Sequence, residues 1–365
     1  MVFQARNKNQ VKRNKARKTW PAGSQRATAT DIASKLGISA MTVSRALNNH
    51  PNVKEETRKE VARMALKMGY VPDLIAKSLV QRRTLTIGVV VPEITHSFFP
   101  EAIRGIEEAI YTAGYHLILT HSAEKAEREQ DALQTLESKR VDGILISTIE
   151  TGGDLALYEH VIKRGTPVVF FDRCVHGIGA CCVRINNEES AQALTAHLLG
   201  HGYRRLAHLC GSPNVSIAGA RFGGYKKALK KAGLPLEKEL IVESGFHEEG
   251  GYAAMQTLLR LPVRKRPRAV VAVNDPAAFG AIKAIQENGL RIPEEVAIVG
   301  FSDDIRAALM PAPLTTVRQP AYLLGNKAAE QLLAIIEGDC AAGGDIVIEA
   351  KQVIRQSCGC NGDRR

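Results

Sequence analysis

A small all-α helix-turn-helix head ahead of a larger, two-lobed α/β body is the architecture this sequence predicts. Three observations predict it. Basic charge is concentrated in residues 1–83, which hold 18 Lys/Arg against 5 Asp/Glu, a net of +13, while the whole chain is +11. Two short helical patterns joined by a glycine, "SKLGISAMTVSRALNNHPNV", lie inside that basic part. From Leu85 onward, short apolar strands alternate with amphipathic helices.

A chain of 365 residues has length for more than one domain, and 45% hydrophobic residues fit a globular protein. No apolar run approaches the roughly 20 residues of a membrane span. The basic start has no apolar stretch behind it, so a secretory signal is not expected. Seven cysteines at irregular spacing predict no disulfide framework and a reduced, cytoplasmic setting.

Residues 1–27 are polar and basic, with eight Lys/Arg and no acid, and read as a disordered arm. Thr28 and Asp31 are spaced as a capping box ahead of Ile32, Ala33 and Leu36, and Gly37 ends that helix. Ser39 caps a second helix running to about Leu47, with Val43 and Leu47 inward. After the Pro51–Asn52 turn, Glu55 to Met68 carries Val61, Ala65 and Met68 as an apolar stripe. Residues 28–71 are therefore the head. Residues 72–83, "PDLIAKSLVQRR", are a short helical pattern and a basic link.

Strands are expected at Leu85–Val91, His116–Thr120, Gly143–Ser147, Val168–Asp172, Arg205–Cys210, Leu240–Glu243, Ala269–Asn274 and Val296–Phe301. Most are apolar throughout, as strands of parallel sheets covered on both faces are. The series restarts around Cys181–Asn187, which predicts two similar lobes. Leu314–Gln319 and Ile346–Arg355 read as crossings between them. The first lobe is then 84–186 plus about 317–342, and the second 187–316 plus about 343–360.

The second helix of a helix-turn-helix enters a major groove by its N-terminal end. Ala40, Met41 and Arg45 lie on the face away from Val43 and Leu47. Arg45 suits a bidentate contact to guanine, and Ala40 and Met41 suit apolar contact. Thr42, Ser44 and Asn48 suit phosphate oxygens. A basic head on a near-neutral body points to double-stranded DNA as the head's partner; a plain packing bundle with a solubilising arm is the alternative. The segment 72–80 is too short to be helical alone. Folded on DNA, it would let Leu79 wedge into a minor-groove step; as a plain linker, it would leave Leu79 packed on the body.

"TDIASKLGISAMTVSRALNNHPNVKEETRKEV", "MGYVPDLIAKSLV" and "IGVVVPEITHSFF" resemble the lactose/galactose-repressor family of bacterial transcription factors. "VDGIL", "VNDPAAFGAI", "IPEEVAIVGFSD" and "PLTTVRQP" follow in the same order, so the resemblance covers Ala27 to about Cys360. It implies a homodimeric repressor whose two heads read a pseudo-palindromic operator. It also implies a periplasmic-binding-protein-like body that holds a small effector between its lobes. Leu79 matches the family's minor-groove leucine, and Ala40, Met41 and Arg45 match its base-reading positions. Two features depart from the pattern: Lys54 stands where Ser or Thr usually caps the third helix, unless Asn52 substitutes, and the basic arm exceeds the usual short start.

Ligands of open α/β sheets bind beyond the carboxyl ends of the strands. The segments there supply Phe98, Phe99, Asp172, Arg173, Arg221, Phe246, Asn274, Asp275, Ser302, Asp303 and Gln319. Flat rings suit the C–H faces of a sugar, and Asp, Asn, Arg and Gln suit hydroxyls that both donate and accept. Asp172, Arg173, Arg221, Asn274 and Gln319, with the three phenylalanines, resemble the ribose-binding members of the superfamily. His96 and Ser302 depart from them. Asp275, which opens a helix, has an N-cap role as its bland alternative. A purine corepressor is the runner-up ligand, although Val215 and Ile217 are apolar where the purine-binding branch is polar. Inducer and corepressor both remain open.

His197 and His201 have the i,i+4 spacing of zinc ligands, but no third ligand is evident, and Cys358-Gly-Cys360 reads as a fraying tail. No metal or cofactor is expected. The turn after Val91 lacks GxGxxG and no nucleophile–base set is apparent, so an enzyme is not expected. A solute-binding protein without DNA function is the competing class, against which the basic head argues.

Overall fold

The computed structural model describes residues 27–71, 83–149, 155–340 and 343–360. The basic arm up to residue 26 and the segment holding Leu79 lie outside the described residues. The chain divides into two compact units, residues 1–80 and 81–365.

In the head, α1 (Ala29–Leu36), α2 (Ala40–Leu47) and α3 (Glu55–Lys67) enclose Ile32, Val43 and Val61, all fully buried. The capping box of α1 is formed: Thr28 Oγ1 accepts from Asp31 N at 3.2 Å, and Asp31 Oδ2 accepts from Thr28 N at 2.8 Å. Gly37 closes that helix at φ 64°, a left-handed conformation that costs glycine least. Ser39 Oγ accepts from Thr42 N at 3.1 Å at the start of α2. At α3, Lys54 makes no side-chain cap, and Asn52 does not stand in for it; its N–H bonds His50 Nδ1 instead.

In the body, all strands of the first sheet run parallel in the order β11-β5-β4-β3-β1-β2. They are β1 (Thr86–Val91), β2 (His116–His121), β3 (Gly143–Ile146), β4 (Val168–Phe171), β5 (Cys181–Ile185) and β11 (Asp345–Ile348). The second sheet, order β7-β6-β8-β9, is also parallel, with β6 (Leu206–Cys210), β7 (Ile241–Glu243), β8 (Ala269–Ala272) and β9 (Ala297–Val299). The order 2-1-3-4 of the first sheet recurs as 7-6-8-9 in the second. The two lobes therefore share one winding. β10 (Thr316–Arg318) and β12 (Lys351–Val353) form an antiparallel pair of crossings.

Helices cover the sheets: α4 (Phe98–Thr112), α5 (Ala126–Ser138), α6 (Leu155–Lys163) and α11 (Ala321–Glu337) in the first lobe, and α7 (Asn187–Gly200), α8 (Ser216–Lys231), α9 (Glu248–Leu259) and α10 (Asp275–Glu287) in the second. The α4–α11 contact is close enough to require glycine from both helices. A Cβ on Gly105 would lie 2.1 Å from Tyr322 O, and one on Gly325 would lie 2.0 Å from Ala102 O.

Three expectations are corrected. The return to the second lobe falls later than residue 343, because β11 extends the first sheet: Ile346 pairs with Val183 and Ile348 with Ile185. Both isoleucines pack against the large buried core, and their pairing with β5 holds the strand at that edge. Cys174 and Cys182 form a disulfide across the β4–β5 connection, a single bridge where none is expected. The residues read as a fraying tail are held in place. Ser357 Oγ donates to Ile298 O at 2.6 Å, Ile298 N donates to Ser357 O at 2.9 Å, and Cys358 is fully buried.

Substituting Lys54→Ser supplies the missing acceptor at the start of α3. It is expected to stabilise the head by about 1 kcal/mol. Amide hydrogen exchange across residues 28–71 should slow by roughly fivefold; unchanged exchange would show that the cap position is already satisfied.

Candidate functional site

On α2 and its C-cap residue Asn48, Ala40, Met41, Ser44, Arg45 and Asn48 are exposed, and Thr42 is half-buried. At steps of one, four, five and eight from Ala40, they form one continuous outward face, opposite Val43 and Ala46. Thr42 Oγ1 sits 2.9 Å from Ser39 Oγ, and Asn48 Nδ2 donates to Ser44 O at 2.9 Å, so both side chains are oriented by the helix itself. Arg45 carries the cationic fork on this face.

In the body, the carboxyl ends of both sheets converge on one small cleft. Phe98, Phe99, Asp172, Arg173, Arg221, Phe246, Asn274 and Gln319 all line it. With Ser302, which also lines it, nine of the eleven residues expected at the strand ends are thus together. Asp275 is not among them. Its carboxylate accepts from Asp304 N at 2.7 Å and Thr316 Oγ1 at 2.6 Å, and it is fully buried. The helix cap is Asn274, whose Oδ1 accepts from Ala277 N at 2.9 Å. Asp275, one step inside that cap, therefore points into the protein rather than the cleft. Asp303 is also turned away, paired with Arg318 at 2.6 Å and Arg355 at 2.7 Å. The reversal comes from Ser302 and Asp303, at φ 138° and 59°.

The cleft's charges are buried and balanced. Burial raises the Asp172 pKa against the pull of Arg221 and Arg173. Gln319 Nε2 reaches Asp172 Oδ1 at 3.4 Å. Burial also lowers Arg221, to about 10, so it remains a cation at neutral pH. Arg221 donates to Asn187 Oδ1 at 2.9 Å and Val273 O at 2.7 Å, and its guanidinium lies 3.8 Å from the Phe301 ring centroid. Arg173 grips Glu124 with two 3.0 Å bonds and lies 4.6 Å from the Phe246 ring centroid.

The cleft also has members that were not anticipated: Glu93, Glu124, Asp304 and His247 line it. Burial opposes ionisation of Glu93, but hydrogen bonds from His96 and Thr95 outweigh it and bring the pKa to about 2. The same hydrogen bond raises His96 against burial. Ser97 Oγ donates to Asp304 Oδ2 at 2.9 Å, joining the lobes across the cleft. Glu93 and Asp304 stand in loops that follow β1 and β9, so strand position was a usable signal for them. Glu124 follows β2 in the same way, and its pairing with Arg173 holds it at the cleft. The free space in the cleft is about 50 Å³, room for one or two waters. A metabolite-sized ligand therefore requires the cleft to widen.

Residues 28–73 match the model of bacterial regulatory proteins of the lacI family, and residues 84–356 match that of periplasmic binding proteins and the sugar-binding domain of the LacI family. The ribose operon repressor of Haemophilus influenzae is 35% identical over 332 residues, covering 91% of this chain and 98% of that protein. Among solved structures, a transcriptional regulator CelR–cellobiose complex matches with a TM-score of 0.70 at 28% identity, covering 91% of this chain and all of the other. The lac repressor dimer bound to operator and an anti-inducer matches at 0.82 and 24% identity, over 92% and 99% of the two chains, which speaks to the fold. No described helix is long and apolar enough to cross a membrane.

Asp275→Asn removes one of the two acceptors that hold Asp304 N and Thr316 Oγ1. Urea unfolding of the body should report a loss of about 1–3 kcal/mol, with ligand affinity of the folded protein unchanged. A large affinity loss at unchanged stability would return Asp275 to the ligand site.

Proposed function

The chain belongs to the lacI family of bacterial regulatory proteins and is a DNA-binding transcriptional regulator; we propose that it is a cytoplasmic homodimeric repressor, without enzymatic activity, controlled by a neutral monosaccharide or close derivative held in the cleft. The balance of charge in the cleft carries the ligand reading. Asp172, Glu93, Glu124 and Asp304 match Arg173, Arg221, a protonated His96 and the Arg306 that pairs with Asp304 at 3.0 Å, so an added anion would meet no net positive field. A polyhydroxylated neutral ligand can both donate to the carboxylates and accept from the guanidiniums. The ribose operon repressor and the cellobiose complex among its relatives agree with that chemistry. A purine is the second choice, because Ile217 stands in the cleft lining where the purine-binding branch is polar.

Arg45 is the residue we assign to base readout, and Ala40 and Met41 contribute apolar contact beside it. Thr42, Ser44 and Asn48 set the register on phosphates. Leu79, outside the described residues, takes the minor-groove role that the family resemblance implies. The ligand acts by favouring one lobe arrangement. A molecule that bound both arrangements equally would leave operator affinity unchanged.

Two substitutions test the two halves. Arg45→Ala should lose about 1–3 kcal/mol at one operator base pair and relax preference there, read by competition binding with single-base operator variants. An unaltered preference profile removes Arg45 from base readout. Arg221→Lys keeps the charge but loses the fork that reaches Asn187 and Val273. Sugar-induced thermal shifts and the sugar's effect on operator binding should both disappear, while binding to operator alone survives. A retained response would move the ligand away from this cleft.

A further inference from the structure

Four metal-binding side chains from distant parts of the chain converge on one spot of the second lobe, away from the cleft. His197 lies in the last turn of α7, and His201 caps that helix. Cys358 and Cys360 follow β12. One ligand atom from each of the four lies within 4.8 Å of every other. His197 Nε2 is 3.3 Å from Cys358 Sγ and 3.7 Å from Cys360 Sγ, and His201 Nε2 is 3.0 Å from Cys360 Sγ.

We propose that these residues form a Cys2His2 site for a structural zinc ion. With Zn–S near 2.3 Å and Zn–N near 2.0–2.1 Å, a tetrahedral site has S···N edges of about 3.5 Å. The three observed S···N separations straddle that value. Two sulfurs and two imidazoles suit a borderline-soft, tetrahedral ion, and the set completes four-coordination without water, as closed structural sites do.

The surroundings are built to hold that geometry. Gly359 at φ 94° turns the chain between the two cysteines, bringing both sulfurs to the same side. A Cβ there would also meet the Tyr203 hydroxyl at 3.0 Å. Thr315 Oγ1 donates to Cys358 Sγ at 3.1 Å, an outer-shell bond of the kind that orients a thiolate ligand. The ladder through Ser357 and Ile298 fixes the approach of the tail. The i,i+4 step from His197 to His201 places both rings on one side of α7, with centroids 4.7 Å apart. His201 is exposed, while His197 and Cys360 are half-buried, so an ion has a path in from solvent.

Binding takes both cysteines as thiolates and releases their protons. It clips the residues after β12 to α7, which fastens the returning crossing strand to the second lobe. The assignment is independent of the ligand in the cleft and of the operator.

The test uses the full chain without a polyhistidine tag, prepared under reducing conditions and without chelator. Elemental analysis should find one zinc per chain. Cobalt(II) added after zinc removal should give the thiolate charge-transfer band and the strong visible bands of a tetrahedral S2N2 centre. Chelation should lower the thermal midpoint, and zinc should restore it. Cys360→Ser and His201→Ala alter half-buried and exposed ligands. Each should fold, weaken zinc by at least about tenfold, and lose the chelator effect on the midpoint. Cys358 is buried, so its substitution is not needed for the decision. The proposal is overturned if cobalt gives no thiolate band, if both variants bind zinc as the parent does, or if peptide mapping finds Cys358 and Cys360 joined to each other under these conditions.

Discussion

Burying ionised side chains where two sheets end is the constraint on which the body depends. A lone carboxylate at Asp172 would shed its charge or destabilise the fold, because desolvation of an ion costs several kcal/mol. Two guanidiniums, Arg221 and Arg173, offset part of that cost, and each is anchored elsewhere: Arg221 to Asn187 and Val273, Arg173 to Glu124. The anchors come from both lobes. Asp172 follows β4 of the first sheet, Arg221 sits on α8 of the second, and Gln319 approaches from the crossing strand. The charge network therefore holds the lobes together as well as lining the cleft proposed for the ligand.

That coupling gives a physical route from ligand to response. The closed cleft is nearly filled by its own polar groups. A ligand that enters must replace bonds such as Ser97–Asp304 and Gln319–Asp172 with bonds of its own. Lobe spacing and ligand occupancy are then one equilibrium. Regulation needs only that the two arrangements differ in how well they bind the ligand.

The head is organised differently. Its core is small, with Ile32, Ala33, Val43, Ala46, Val53, Val61 and Ala65 buried. A core of that size stabilises weakly, so local devices matter more: the Thr28–Asp31 box, the Ser39 cap and the left-handed Gly37. The outward face of α2 contributes nothing to this core. Its residues are left available for contact with another molecule.

Local rules were readable from the chain alone. Caps, glycine stops and the strand–helix alternation depend on neighbours within a few residues, and the observed elements fall where those signals stand. The cleft was largely readable too, because position at a strand's carboxyl end is a local property. Direction was not. Asp275 and Asp303 stand in the expected loops, yet they point inward, because Asn274 takes the cap and a left-handed turn reverses the chain at residues 302–303. The placement of β11 at the first sheet's edge, the Cys174–Cys182 bridge and the meeting of His197 and His201 with Cys358 and Cys360 depended on tertiary structure. These contacts join segments whose separation no local preference measures, and they form only when packed helices and sheet register bring them within reach.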